Sequence, residues 1–216
     1  MIGIATTSAL PTMAPWGGID KLAGLNPIGI GIPAGEEAPL VLDFAFGATA
    51  HGRMRVYQQE GIPTPEGWAF DREGRPTTKI DEARAGLVQP IGMYKGIGLA
   101  VAAGILSTLL SGAGYGTGSG NMVDGPIPGR DGQFHLALNI AAFEDVPTFK
   151  ARMDHIIREY PGTRLAPGFK RVFVRGEMEA NLERRQREQG APLNEATVQG
   201  VREVAAELGV DAAALQ

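Results

Sequence analysis

Cysteine is absent from all 216 residues. Its absence excludes disulfides, thiolate metal ligands and a cysteine nucleophile, and fits a reducing compartment such as the cytoplasm. Histidine is scarce, with three residues scattered along the chain, and no metal-ligand spacing or Ser, His and Asp constellation can be assembled from neighbouring positions. No apolar run reaches the roughly 18–20 residues that a membrane span requires. The longest candidate, from Ile97 to Leu110, is interrupted by Ser107 and Thr108 and is expected to be a buried helix. Charge of either sign is not in surplus: 24 acidic residues against 20 basic ones leave a formal net charge of −4. Nothing in that balance offers a basic field to nucleic acid or anionic lipid. Small molecules and other polypeptides remain as partners.

What is present is a composition 44% hydrophobic and 20% charged, ordinary for a globular chain and sufficient for a sizeable core. Glycine and proline are plentiful, at 31 and 15 residues, and make the first half loop-rich, a pattern suited to carrying a site. The opening "MIGIATTSALPTMAPWGG" has no basic lead and no signal-type block. It reads as the inside of a strand.

Short β-branched runs bounded by Gly or Pro predict strands at Ile2 to Ala5, Ile28 to Pro33 and Leu40 to Ala45. A long loop over 60–86 follows, after which the Lys95 segment opens a helix. The glycine-rich stretch 114–132 has linker or lid composition. Phe134 to Ile140 reads as another strand. Asp145 with Pro147 begins a helix whose Phe149, Met153, Ile156, Ile157 and Tyr160 recur at helical spacing, and a further strand is expected from Phe169 to Val174. Asn194 caps a last helix with Val198, Val201, Val204 and Leu208 inward and Gly209 at its end. The elements interleave without a regular βαβ repeat, which predicts an α/β fold with a mixed sheet and packed helices.

Two phosphate-binding motifs are excluded. Lys95 is followed by Gly96 and Ile97 rather than Ser or Thr, so the Walker pattern is absent. The near match Gly29-Ile-Gly31 lies inside a strand and leads to Gly35-Glu36-Glu37 instead of a helix, so the dinucleotide fingerprint is a decoy. Lys95 itself is an electrostatic oddity, since a cation at the start of an apolar helix opposes the helix dipole unless it points into water or meets an anion. Gly92, Gly96 and Gly98 would let a ligand approach the backbone there. Asp43 ends a strand, where it either accepts hydrogen bonds from ribose hydroxyls or caps the next turn. His51 sits in a turn-like "TAHGR" and could titrate near neutrality, while His135 and His155 read as structural or solvated. Trp16 and Trp68 read as packing, and Arg184 and Arg185 as part of a solvated helix face.

Taken in order, "APWGG", "LAGLNPIGIGIP", "LVLDFAFGATAHGR", "PEGWAFDREGRPTT", "GMYKGIGLAVAAGILSTLLSGAGYG", "GQFHLALNIAAF" and "PGFKRVFVRGE" resemble the malate/L-lactate dehydrogenase family, which also holds ureidoglycolate and sulfolactate dehydrogenases and cyclic-imine reductases. The resemblance implies a largely antiparallel, non-Rossmann NAD(P)-binding fold of the sulfolactate dehydrogenase-like type, in a cytoplasmic homodimer. It implies hydride transfer between NAD or NADP and a small 2-hydroxy or 2-oxo acid. The family's aspartate tripeptide falls on Asp43, Phe44 and Ala45, its glycine-flanked lysine on Lys95, and its cofactor loop after the penultimate strand on Glu177, Met178 and Glu179. Residues 1–140 would form the cofactor-binding core and 141–216 a carboxy-terminal segment packed on it.

There are departures from the family pattern. The family's "GTNP" is here "GLNP" at Gly24 to Pro27, the polar residue before "APWGG" aligns with Ser8 or Ala9, and Arg53 follows the His-Gly pair where imine reductases place an aspartate. The last departure argues against the imine branch. Family members also carry a helical amino-terminal section with a Ser-His-Gly catalytic histidine, which has no counterpart here. The chain is therefore expected to be a fragment with no proton donor of its own, and an inactive cofactor-binding or dimerisation remnant is the alternative.

Overall fold

The computed structural model describes residues 1–119 and 131–211. The chain divides into two compact units, Met1–Arg175 and Gly176–Gln216. In the first, β1 (Ile2–Thr7), β4 (Ile28–Ile32), β5 (Leu40–Phe44) and β8 (Gln133–Leu138) form a four-stranded sheet in the order β5-β4-β1-β8, every pairing antiparallel. Two small antiparallel pairs flank it: β2 (Pro11–Met13) with β3 (Ala23–Gly24), and β6 (Ala69–Phe70) with β7 (Leu87–Val88). The helices of this unit are α1 (His51–Glu60), α2 (Ile80–Ala85), α3 (Tyr94–Thr108) and α4 (Val146–Glu159).

Register sorts the sheet into two unlike faces. Cross-strand partners share a face, so Ile2, Ile4, Ile28, Ile30, Leu42, Phe134 and Leu136 line one side with Thr6, while Gly3, Ala5, Gly29, Gly31 and Ala137 line the other. Helix α3 crosses the apolar side at Thr6, whose hydroxyl lies 2.7 Å from that of Ser107. Ser107 in turn donates to the Ala103 carbonyl at 2.9 Å, so the buried hydroxyls are satisfied. The main core lies beyond the sheet: Met13, Leu25, Phe46, Met54, Val88, Ile97 and Ala100 pack where the small strand pairs meet α1, α2 and α3.

Two polar tethers hold the helices to the strands. Buried Asn26, in the left-handed region at φ 36°, accepts from the Ala9 amide at 3.0 Å and donates to the Ala100 carbonyl at 2.8 Å, tying the β1–β2 connection to α3. Asparagine tolerates that backbone better than other residues with a β-carbon. Asp154 on α4, also buried, accepts from the backbone amides of Gly35, Glu36 and Glu37 at 2.9, 2.9 and 3.1 Å, and Arg158 one turn on pairs with Glu36 and Glu37.

Several sequence expectations change. The segment 60–86 is not one loop but contains β6 and α2. Residues 169–174 form no strand, although the Val41 amide of β5 donates to the Arg175 carbonyl at 3.1 Å just beyond them. The apolar stretch after Lys95 buries only one side, with Leu99, Leu109 and Leu110 at 55%, 61% and 70% exposure. Most of the predicted linker, 120–130, lies outside the described residues, and its start forms a 3₁₀ turn at Gly116–Gly118. In the second unit, α5 (Glu177–Gln189) is a solvated helix carrying Arg184 and Arg185, as expected. Helix α6 (Glu195–Leu208) has the expected caps, with Asn194 accepting from the Thr197 amide at 2.8 Å and Gly209 left-handed. Its Val198 is half-buried, but Val201, Val204 and Leu208 are exposed rather than inward, since among the described residues of that unit nothing buries them.

The start of α3 is set by close contact. A β-carbon on buried Gly96 would collide with the Ile91 carbonyl, so the glycine serves helix–loop packing rather than ligand approach. Gly96→Ala is expected to destabilise the fold by about 1–3 kcal/mol, read as a lower midpoint in urea with an unchanged slope. The amide of Glu36 first, then those of Glu37 and Gly35 and the charge of Arg158, hold the Asp154 carboxyl below its ordinary 3.8 against the opposing effect of burial. Its stabilisation is therefore present above pH 3.8 and is lost as the pH falls through the depressed folded value. Asp154→Asn should lower the melting temperature at pH 7, and the gap to the parent should narrow in melts recorded below pH 3.

Candidate cofactor site

The exit of β5 and the entry of α3 are joined by backbone hydrogen bonds. The Ile91 amide donates to the Phe46 carbonyl at 3.0 Å and the Ala48 amide to the Gln89 carbonyl at 2.7 Å, with Gly47 and Pro90 bridged between them. Phe46 is fully packed in the core, and its ring meets that of Phe44 edge-on at 5.1 Å. The junction therefore brings Asp43, Phe44 and Ala45 to the same end of the unit as Lys95. Asp43 is exposed on the small-residue face, whereas Phe44 is half-buried on the opposite, apolar one. Sheet register puts Asp43, Gly29, Ala5 and His135 in one row across four strands. At about 4.8 Å per strand spacing, the carboxylate and the imidazole lie too far apart to touch.

Lys95 is exposed in the first turn of α3. That turn has no acidic residue and no side-chain cap, and its N-cap, Met93, has a left-handed φ of 59°. Gly92 precedes it at φ 58°. A β-carbon on Gly92 or Gly98 would meet nothing within 4 Å, so both open onto free space. The Lys95 amide donates to the Gly92 carbonyl at 3.3 Å, but a helix start with a lysine, no side-chain cap and no carboxylate in its first turn is chemically suited to an anionic group such as a dinucleotide pyrophosphate. The Lys95 ammonium lies 5.9 Å from the centre of the Tyr94 ring, and Trp16 meets the same ring edge-on at 6.5 Å. Trp16 is thus 49% exposed and not a core residue. Sequence reasoning missed both aromatics, whose only local signal was the position of Tyr94 beside the lysine. Trp68, by contrast, packs on Tyr57 at 5.3 Å, as expected for a structural tryptophan.

The remaining expected residues fall elsewhere. Glu177, Met178 and Glu179 belong to the second unit, where they form the first turn of α5 rather than a loop after a strand. Ser8 accepts from the Gly132 amide at 3.0 Å and clamps the end of β1. His51 is the first residue of α1, and desolvation first, then the positive charges of Lys21 and Arg84, lower its pKa and favour the neutral ring at pH 7. His135 and His155 are solvated. Among the described residues no group of three His, Asp or Glu could hold a metal ion, and no helix is long and apolar enough to cross a membrane.

Known proteins share this fold. Residues 1–202 match the family model described as malate/L-lactate dehydrogenase. A malate dehydrogenase of Pyrococcus horikoshii is 33% identical over 98% of this chain and 60% of its own length. A (2R)-3-sulfolactate dehydrogenase (NADP(+)) of Chromohalobacter salexigens is 36% identical over 85% of this chain and 55% of its own length. The solved sulfolactate dehydrogenase of Methanocaldococcus jannaschii superposes with a TM-score of 0.83 at 32% identity, over 98% of this chain and 60% of that one. The chain thus spans about 60% of the length of such relatives. Its antiparallel sheet with packed helices is their non-Rossmann fold, and the chain belongs to the malate/L-lactate dehydrogenase family.

Proposed function

We propose that this chain is the cofactor-binding part of a cytoplasmic, homodimeric oxidoreductase that moves a hydride between NAD or NADP and a small 2-hydroxy or 2-oxo acid. The observation that carries the reading is the joining of β5 to α3, which sets the exposed Asp43 and the glycine-flanked Lys95 at one end of the first unit. Bound NAD(P) would supply the hydride chemistry. Lys95 neutralises its pyrophosphate, the Asp43 carboxylate accepts hydrogen bonds from ribose hydroxyls, and the backbone at Phe44 and Ala45 lies against the nucleotide. The family resemblance also assigns Glu177, Met178 and Glu179, in the first turn of α5, to cofactor binding. The resemblance assigns the proton transfer to the histidine of a Ser-His-Gly segment, acting as acid and base beside the cofactor. The names of the relatives support malate, sulfolactate or ureidoglycolate as substrate classes.

A second reading is a module that binds cofactor or a second copy of itself without turning over substrate. The exposure of Leu136 and Leu138 on β8, and of Val204 and Leu208 on α6, favours it, since apolar side chains so placed suit contact with further polypeptide. Assaying malate, lactate, ureidoglycolate and sulfolactate with both cofactors separates the two: turnover supports the enzyme, and binding without turnover the module. Lys95→Ala is expected to weaken NADH or NADPH binding about tenfold, the worth of one charge-assisted contact. Because the side chain is exposed, the thermal melt should not move. Unchanged affinity in a cofactor-fluorescence titration would remove Lys95 from the site.

A further inference from the structure

Trp16 and Tyr94 come from distant parts of the sequence, and neither is used by the core. Both keep large exposed surfaces, 49% and 59%, yet their rings are locked together edge-on at 6.5 Å. The Lys95 ammonium lies 5.9 Å from the far partner, Tyr94. Trp16 also lines a cavity of about 330 Å³ with Ile19, Phe70, Leu87 and Pro90, large enough for a nucleoside-sized group. Among the described residues, Glu73 is the only charged side chain lining it. An acid there repels phosphate and can accept hydrogen bonds from the amino group of a base, while Lys95, beside Tyr94, is not among the lining residues. The charges thus divide the surface into a place for a flat ring and a place for the anion attached to it.

We propose that Trp16 and Tyr94 form a stacking seat for one heteroaromatic base of the dinucleotide, with the base entering the cavity beside Trp16 and its phosphate held at Lys95. This rests on the cofactor reading above and adds to it the residues that grip the base and hold the lysine in place. Tyr94 is a positioning residue for Lys95, since its ring face attracts the ammonium, and Trp16 fixes the Tyr94 ring.

The chain has two tryptophans, so Trp68→Phe leaves Trp16 as the sole tryptophan reporter. Titrating that 216-residue protein with ADP-ribose and, separately, nicotinamide mononucleotide should quench its emission with one of them, which identifies the base. In NADH-fluorescence titrations Trp16→Leu and Tyr94→Leu should each raise Kd about tenfold, as loss of base–aromatic stacking does. Tyr94→Phe should retain the parent affinity. If both leucine variants bind like the parent while Lys95→Ala does not, the seat is refuted and the cofactor reading stands. If Lys95→Ala also binds like the parent, or if the parent protein binds neither NADH nor NADPH, both ideas fall. Both aromatics are exposed, so the variants are expected to fold, and equal far-UV circular dichroism confirms that a change in Kd reports on the site.

Discussion

The hydrogen bonds from Ile91 to Phe46 and from Ala48 to Gln89 are the constraint on which the candidate site depends. They fasten the chain leaving β5 to the chain entering α3, and Phe46 anchors the junction by burying its ring in the core. Gly96 permits the fit by leaving room for the Ile91 carbonyl, while Asn26 holds α3 from the opposite direction through Ala100. Without that junction an acidic residue at a strand end and a lysine at a helix start would be unrelated surface charges. With it, the strand end that carries Asp43 and the helix start that carries Lys95 are tied to one backbone junction.

The electrostatics follow from what the sequence withholds. The first turn of α3 has no carboxylate, so the positive end of the helix and Lys95 act in the same direction. Elsewhere the protein neutralises its charges locally: Arg158 meets Glu36 and Glu37, Arg152 meets Glu144, and Arg187 meets Glu183. Lys95 instead stands with a helix terminus and an aromatic ring, a setting chemically suited to an anion.

Much of this was legible in the chain. The alternation of Ile and Gly in β4 set both its strand character and its two unlike faces, and Asp145 and Asn194 marked helix starts that their side chains do cap. Lys95 and Asp43 stood out because their residue types were unusual for their local settings. The strand expected at 169–174 failed for a physical reason: its residues have the propensity, but a strand exists only where a neighbour completes the ladder, and this segment joins none of the sheets. The inward stripe expected on α6 failed likewise, since periodicity states which residues share a face and not whether anything covers it.

The sequence by itself determined the local elements, their caps, the faces they present and the chemistries ruled out by missing cysteine and scarce histidine. Those properties depend on neighbours within a turn or two, where spacing and side-chain type suffice. Tertiary structure alone decided that Trp16 meets Tyr94, that Asp154 gathers the amides of Gly35 to Glu37, and that β5 and α3 share an end. Such meetings are made between distant segments, and their geometry follows from how the whole core closes, which no local pattern specifies.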